Sequence, residues 1–342
     1  MAAEGQMLAA VFKGEGVLAL EERPIPVVAG PDDVLLEVEA AAICGTDIHI
    51  TEVPPGHPAT PGAILCHEYV GRVVAAGDGV TNLQPGDRVV VDPNLTCGRC
   101  PSCQDGRPNM CANMTTLGIF RDGGFARYNV VPSRALYRIS QKVPPEIAVF
   151  AEPLSCIVNG TQKVKPQPGD LAVVLGAGPI GLLFTEVIKA AGARVLAVEP
   201  NAFRRSYATK AGADWAVDPS ATDVADVLRD LGREGADLVV DAVGSLLPEA
   251  VRLVRRGGQV LVFGMNGNAA PPLRQYDITR KEVVIRGTYI SHFSFPRVVQ
   301  ILESGVLNLE PLITHQLALT DLPAGFAAMR AGEAVKVVVT SF

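Results

Sequence analysis

The sequence predicts an α/β protein in which a small, irregular, β-rich domain is followed by a doubly wound parallel sheet. Three observations carry this. From Met7 to about Tyr137, short β-rich runs such as 34–38, 70–75 and Arg88–Val91 are punctuated by Gly, Pro and Asp clusters. From Asp170 onward, strand-like runs alternate with helical stretches, the rhythm of βαβ units. The chain is also long enough, at 342 residues of which 48% are hydrophobic and 19% charged, to bury a sizeable core in each of two domains.

In the second region the strands are read at Leu171–Leu175, Arg194–Val198, 238–241, 259–263 and 283–286, and the helical stretches at 180–191, 202–211 and 246–254. After Ser291, a helix at 296–304 leads to a strand at 335–340. The uncharged stretch 171–185 is too short to span a bilayer and is broken by Gly176, Gly178 and Gly181. With Lys+Arg 30 against Asp+Glu 36 the formal charge is 30 − 36 = −6, so there is no basic stripe for nucleic acid and no polybasic membrane patch. The expected partner is a small molecule. The amino terminus shows no charged patch ahead of an apolar block and cleavage site, so the expected compartment is the cytoplasm.

The strand at Leu171–Leu175 runs straight into Gly176-Ala177-Gly178-Pro179-Ile180-Gly181 and then a helix. Glu199 closes the next strand about 20 residues on. In that context the first two glycines let the backbone turn and approach a pyrophosphate, the third lets helix and strand pack, and the free N–H groups of the helix start face the phosphates. A dinucleotide is therefore expected. A carboxylate at Glu199 accepts hydrogen bonds from ribose hydroxyls and repels a 2′-phosphate, which favours NAD, whereas Arg204 and Arg205 nearby keep NADP open.

Four of the seven cysteines form the run Cys97, Cys100, Cys103 and Cys111, spaced C-x2-C-x2-C-x7-C. Such a run in a cytosolic chain reads as a metal site, and four thiolates suit a closed tetrahedral zinc that staples a loop without doing chemistry. An iron–sulfur cluster is the rival reading, although the continuation C-x3-C-P is missing. Elsewhere in the first domain Cys44, His67-Glu68 and Glu152 each supply a metal-ligand type from separate segments, the pattern of a catalytic zinc that keeps a position open.

Taken together, Cys44-Gly45-Thr46-Asp47-Ile48-His49, His67-Glu68-x-x-Gly71, Gly86-Asp87-Arg88-Val89, the four-cysteine loop, Ala151-Glu152-Pro153-Leu154 and the Gly176–Gly181 fingerprint resemble the zinc-dependent medium-chain dehydrogenase/reductase (zinc-containing alcohol dehydrogenase) superfamily, most of all its polyol (sorbitol) dehydrogenase branch. The resemblance covers nearly the whole chain. It implies a GroES-like catalytic domain at 1–153 completed by 291–342, and a Rossmann coenzyme domain at 154–290. It also implies that Cys44, His67 and Glu152 bind a catalytic zinc, with Glu68 a fourth, exchangeable ligand or a nearby carboxylate. Asp47 would accept a hydrogen bond from the other ring nitrogen of His67. Thr46 would take the substrate proton and pass it through the cofactor ribose towards His49 and solvent. Gly176, Gly178, Pro179, Ile180, Gly181, Glu199 and Arg204 would meet the cofactor.

Three departures bear on this reading. Cys66 stands where the motif usually has glycine, and it is read as a packed thiol, with metal exchange or redox sensitivity as the alternative. Ile50 and Ile290 replace the tyrosine and arginine of sorbitol dehydrogenases, which points to a less hydroxylated alcohol, or to a sugar alcohol held by groups such as His292 and Arg297. The expected activity is zinc-dependent hydride transfer between NAD and a secondary alcohol of the polyol, sugar or amino-alcohol class, giving a ketone. The alternatives are an NADP-preferring ketone or sugar reductase, and a zinc- and nucleotide-binding protein without turnover. The resemblance further implies two zinc ions per chain and a homodimer or homotetramer.

Overall fold

The computed structural model describes residues 5–342, which fall into two compact units. One comprises the residues up to Ser155 together with Ser291–Gly305 and Ile313–Phe342; the other comprises Cys156–Ile290 and Val306–Leu312.

The first unit opens with a hairpin of β1 (Gln6–Gly14) and β2 (Val17–Pro24). Its sheet is then built from β3 (Asp33–Ala42), β4 (Glu68–Ala76) and β5 (Arg88–Val91), with the small pair β6 (Asn94–Leu95) and β7 (Thr115–Thr116) to one side, and β8 (Tyr128–Pro132) and β9 (Leu136–Arg138) following. Glu39 on β3 ties the sheet together, accepting from Arg88 Nε at 2.5 Å and Arg72 Nη2 at 2.6 Å, two arginines that face each other across β4 and β5. These guanidinium groups hold the Glu39 carboxyl below its ordinary range against the opposing effect of burial.

The second unit holds six parallel strands: β10 (Leu171–Leu175), β11 (Arg194–Val198), β12 (Trp215–Val217), β13 (Ala236–Asp241), β14 (Val254–Val262) and β15 (Val284–Gly287), in the order β12-β11-β10-β13-β14-β15. All five residues of β10 are buried, as a strand covered on both faces requires. The order reverses between β10 and β13, and that switch point is where open sheets of this kind bind nucleotides. The helix Pro179–Ala190 starts immediately after the glycine loop.

The tail returns to the first sheet, where β16 (Ile313–Ala318) and β17 (Lys336–Ser341) extend it as β16-β17-β3-β4-β5-β9, with β8 also pairing β3. One stretch departs from the expected 291–342 assignment: Val306–Leu312 groups with the second unit. There Glu186 Oε2 accepts the Asn308 amide at 3.1 Å, and Leu309 and Leu312 are buried. The helix Ala151–Val164 had no counterpart in the sequence reading, because Pro153 and Gly160 interrupt the pattern; Pro153 sits in its first turn, where a missing N–H costs nothing. No helix among the described residues is long and apolar enough to cross a membrane.

Candidate active site and metal centres

Cys44 lies two residues after β3 and begins the short helix Gly45–Ile50, its amide donating to Asp47 Oδ2 at 2.9 Å. Glu68 opens β4 and His67 immediately precedes it, and their placement depends on Cys66. That residue has φ +82°, a left-handed conformation that favours glycine and explains the usual residue at this position. Its carbonyl accepts the Gly124 amide at 2.8 Å, and a Cβ on Gly118 or Gly123 would come within 2.0 or 2.1 Å of the Cys66 oxygen. The thiol is wholly buried and donates to the carbonyls of Glu68 at 3.2 Å and Ala42 at 3.5 Å, the arrangement of a packed thiol.

Cys44, His67 and Glu68 present ligand atoms that all lie within 4.8 Å of one another. Glu152, in the first turn of its helix, falls outside that group, but His67 and Lys336 act on its charge. Burial pushes the Glu152 carboxyl up to about 7 and that of Asp47 up to about 6. His67 moves well above its ordinary range, because the charges of Cys44 and Asp47 outweigh a burial that alone would lower it. The expected bond between Asp47 and His67 is not formed: Asp47 Oδ1 and His67 Nδ1 are both buried without a hydrogen-bond partner. Asp47 instead spends its other oxygen on the start of the helix.

This chemistry fits a metal. A half-buried thiol converges with a buried imidazole and a buried carboxylate, a donor set that suits zinc. Thr46 Oγ1 lies 3.7 Å from Cys44 Sγ, while His49 is exposed, with Nδ1 3.1 Å from Glu52 Oε1. Sequence reasoning missed Lys336, a buried cation whose Nζ pairs with Glu68 Oε2. The signal available was a lone lysine inside the apolar run Val335 to Val339. Of the residues proposed for an altered substrate pocket, Ile50 is fully buried in the core. His292 Nε2 donates to the Gly106 carbonyl at 2.8 Å, and Arg297 Nη1 reaches Gln300 Oε1 at 3.2 Å, so both already have protein partners.

Cys97, Cys100, Cys103 and Cys111 form a second group within 4.8 Å. Cys111 Sγ lies 3.5 Å from Cys97 Sγ and 3.9 Å from Cys100 Sγ. A tetrahedral cage of four thiolates on zinc has sulfur–sulfur edges of about 3.8 Å, so these spacings fit it. The Arg99 amide, donating to sulfur, leads the bonds that hold the Cys97 thiol down to about 6.

In the second unit Gly176 has φ +94°, and a Cβ on Gly181 would fall 1.9 Å from the Gly176 oxygen, so helix and strand pack only around glycine there. A Cβ at Gly178 would meet no protein atom within 4 Å, which leaves that face of the loop open to a phosphate. Pro179 and Ile180 open the following helix. Glu199 is buried, its Oε2 accepting the Ala177 amide at 2.8 Å and its Oε1 the Asn201 amide at 2.9 Å. The carboxylate thus braces the glycine loop as well as standing at the end of β11. Arg205 is committed to Asp218 and to the carbonyls of Glu199 and Pro200, whereas Arg204 keeps a buried Nε without a partner.

A nucleotide-type parallel sheet joined in one chain to a β-rich unit with two metal-ligand clusters defines a metal-assisted, nucleotide-dependent oxidoreductase. Residues 30–141 match the family described as alcohol dehydrogenase GroES-like domain, and residues 179–304 the family described as zinc-binding dehydrogenase. The L-threonine 3-dehydrogenase of Pyrococcus horikoshii is 36% identical over 90% of this chain and 91% of its own. A crystal structure of a zinc-binding dehydrogenase from Sinorhizobium meliloti, bound to NADP, matches with a TM-score of 0.93 and 34% identity over 98% of this chain and all of that one (100%). An alcohol dehydrogenase, RspB, from Escherichia coli CFT073, complexed with NADH, matches with a TM-score of 0.91 and 31% identity over 98% of this chain and 99% of that one. The chain belongs to the zinc-containing alcohol dehydrogenase superfamily of medium-chain dehydrogenases/reductases, and it is an oxidoreductase.

Proposed function

We propose that this chain interconverts a secondary alcohol of the polyol, sugar or amino-alcohol class with its ketone, using NAD, with one catalytic and one structural zinc per chain. The observation that carries this is the convergence of Cys44, His67 and Glu68, whose ligand atoms lie within 4.8 Å of one another, with the Thr46 hydroxyl beside Cys44. Cys44 and His67 would hold the catalytic zinc, with Glu68 and Glu152 completing or adjusting its surround; Cys97, Cys100, Cys103 and Cys111 would hold the other. When bound, zinc lowers the pKa of the alcohol hydroxyl and nicotinamide accepts the hydride.

The chain's own residues then handle the proton. Thr46 Oγ1 would take it from the substrate hydroxyl while giving up its own hydroxyl proton towards the solvent side in the same step, a neutral relay that adds no further buried charge. His49, at the surface beside Glu52, delivers it to solvent. The backbone amides opening the helix Pro179–Ala190 bind the pyrophosphate, and Glu199 accepts from the ribose with the lone pairs that its two backbone bonds leave over.

The preference for NAD rests on Glu199; the reading of an NADP-preferring reductase rests on Arg204, the one of the two nearby arginines with an unpartnered nitrogen. We also propose that the protein acts in the cytoplasm as a homodimer or homotetramer. A scan of secondary alcohols and ketones with both coenzymes, read by the absorbance of the reduced cofactor, tests the reading. Zinc-loaded protein that binds NADH and turns over none of them favours the non-catalytic alternative.

A further inference from the structure

We infer that Arg330 is a positioning residue for proton transfer: its guanidinium fixes the end of the short helix Gly45–Ile50 and with it the spacing of Thr46 and His49. The inference rests on the alcohol-oxidising reading above and extends its relay to a residue from the tail of the chain.

A helix of six residues does not hold its own shape in water, because the entropy of forming the first turn is not repaid over so few hydrogen bonds. At its start, Asp47 Oδ2 accepts the Cys44 amide. At its end stands Thr51, which is buried and shares its one hydroxyl proton between the Asp47 carbonyl at 2.9 Å and the Ile48 carbonyl at 3.0 Å. The hydroxyl oxygen is left with its lone pairs, and Arg330 Nη2 donates to it at 2.7 Å and to the Thr51 carbonyl at 3.3 Å. A guanidinium cannot accept, so the direction of each of these bonds is fixed. The positive charge also faces the carbonyl end of the helix, where a cation is favoured.

Arg330 acts from a firm base. It lies in the last turn of the helix Leu322–Ala331, in which a Cβ on Gly325 would fall 2.8 Å from the Leu317 side chain and 2.9 Å from those of Ile43 and Val337. The helix therefore packs directly on the sheet beside the metal-ligand segment: Ile43 precedes Cys44, and its amide donates to the Val337 carbonyl at 3.0 Å. Phe326, one turn before Arg330, is buried edge-on against Phe125 with ring centres 6.4 Å apart, and its ring lies 5.7 Å from the guanidinium. Arg330 itself is exposed, so its bonds reach from the surface to a buried hydroxyl. Thr46 and His49 lie between the two fastened ends of their helix. A relay works only at hydrogen-bond distances, and a displacement of about 1 Å can cost about a hundredfold in rate.

The test uses zinc-loaded full-length protein with NAD and either 2-butanol or 2,3-butanediol, whichever the parent oxidises faster. Arg330→Met is expected to lower the single-turnover rate of NADH formation at saturating alcohol about tenfold, while KM for the alcohol, the NADH dissociation constant and the zinc content keep parental values. Arg330→Lys, which keeps a cationic donor, should restore part of the rate. Added imidazole should speed Arg330→Met by a larger factor than the parent, because an external base then takes up the proton. In a Thr51→Val background, where the acceptor is gone, Arg330→Met should cost little more. Amide hydrogen exchange over residues 44–52 should quicken in Arg330→Met. A parental rate of hydride transfer in Arg330→Met, a loss confined to KM or to NADH binding, or exchange at the parental rate overturns the inference. If the parent oxidises neither alcohol, the alcohol-oxidising reading fails, and hydrogen exchange alone decides whether Arg330 fixes the helix.

Discussion

Glu68 and Lys336, 268 residues apart in the chain, form an ion pair whose side chains are 2% and 3% exposed. Glu68 opens β4 and Lys336 opens β17, two strands that flank β3 in the sheet. The carboxylate holds the ammonium's pKa above its ordinary range although burial pulls it down, and the Phe150 ring lies 5.6 Å from the charge. The tail of the chain is thus fastened to one of the three converging ligand residues.

Removing one partner of such a pair leaves an uncompensated buried charge, so Lys336→Met is expected to cost about 3–5 kcal/mol of stability in denaturant unfolding. Lys336→Met combined with Glu68→Gln should recover most of that loss. If the double variant is as unstable as the single one, the pair is not what Lys336 is for.

Replacing Cys100 with Ser opens the four-thiolate group, and metal analysis should fall from about two zinc ions per chain to about one. The remaining metal should stay bound in the folded protein, with stability and assembly suffering more than the chemistry. Iron, or a parent holding a single zinc while fully active, would overturn the assignment of this loop.

Because Glu199 accepts the Ala177 amide of the glycine loop, its removal should do more than change coenzyme preference. Glu199→Ala is expected to weaken NAD binding by about 10–100-fold, the loss of one or two charge-assisted hydrogen bonds. NADP binding should fall less, so the gap between the two narrows. Isothermal titration with both coenzymes measures this, and a parent that binds NADP more tightly would transfer the decisive role to Arg204.

The Glu39 cluster predicts a pH signature. Its folded pKa is depressed, so its contribution is fully present above the unfolded value near 4 and is lost as pH falls through the lower folded value. Glu39→Gln should therefore cost about 1–3 kcal/mol at neutral pH and progressively less in acid. A destabilisation that does not change with pH would mean that the charge is irrelevant and only shape matters.

Local signals were legible in the sequence. The four cysteines and the Gly176–Gly181 loop are each set within a few residues of one another, and the spacing that makes the chemistry possible is itself the pattern. Features that depend on remote partners were not. Lys336 looks like one polar interruption in an apolar strand until Glu68 is brought to it, and Asp47 was expected on His67 but satisfies the nearby Cys44 amide instead. Val306–Leu312 left its expected domain because a single carboxylate, Glu186, and two leucine sites receive it. The left-handed conformation of Cys66 was hidden behind the identity of its side chain.

The central claim, that Cys44, His67 and Thr46 form the site of alcohol oxidation, is tested most directly by single-turnover hydride transfer from a secondary alcohol to NAD in the parent, Thr46→Val and Glu152→Gln, with NADH affinity and zinc content measured alongside. Both variants should bind NADH as the parent does, and Thr46→Val should keep its zinc, while reduced cofactor forms more slowly by orders of magnitude. Parental rates in both variants would contradict the account and place the reaction, if there is one, elsewhere in the molecule.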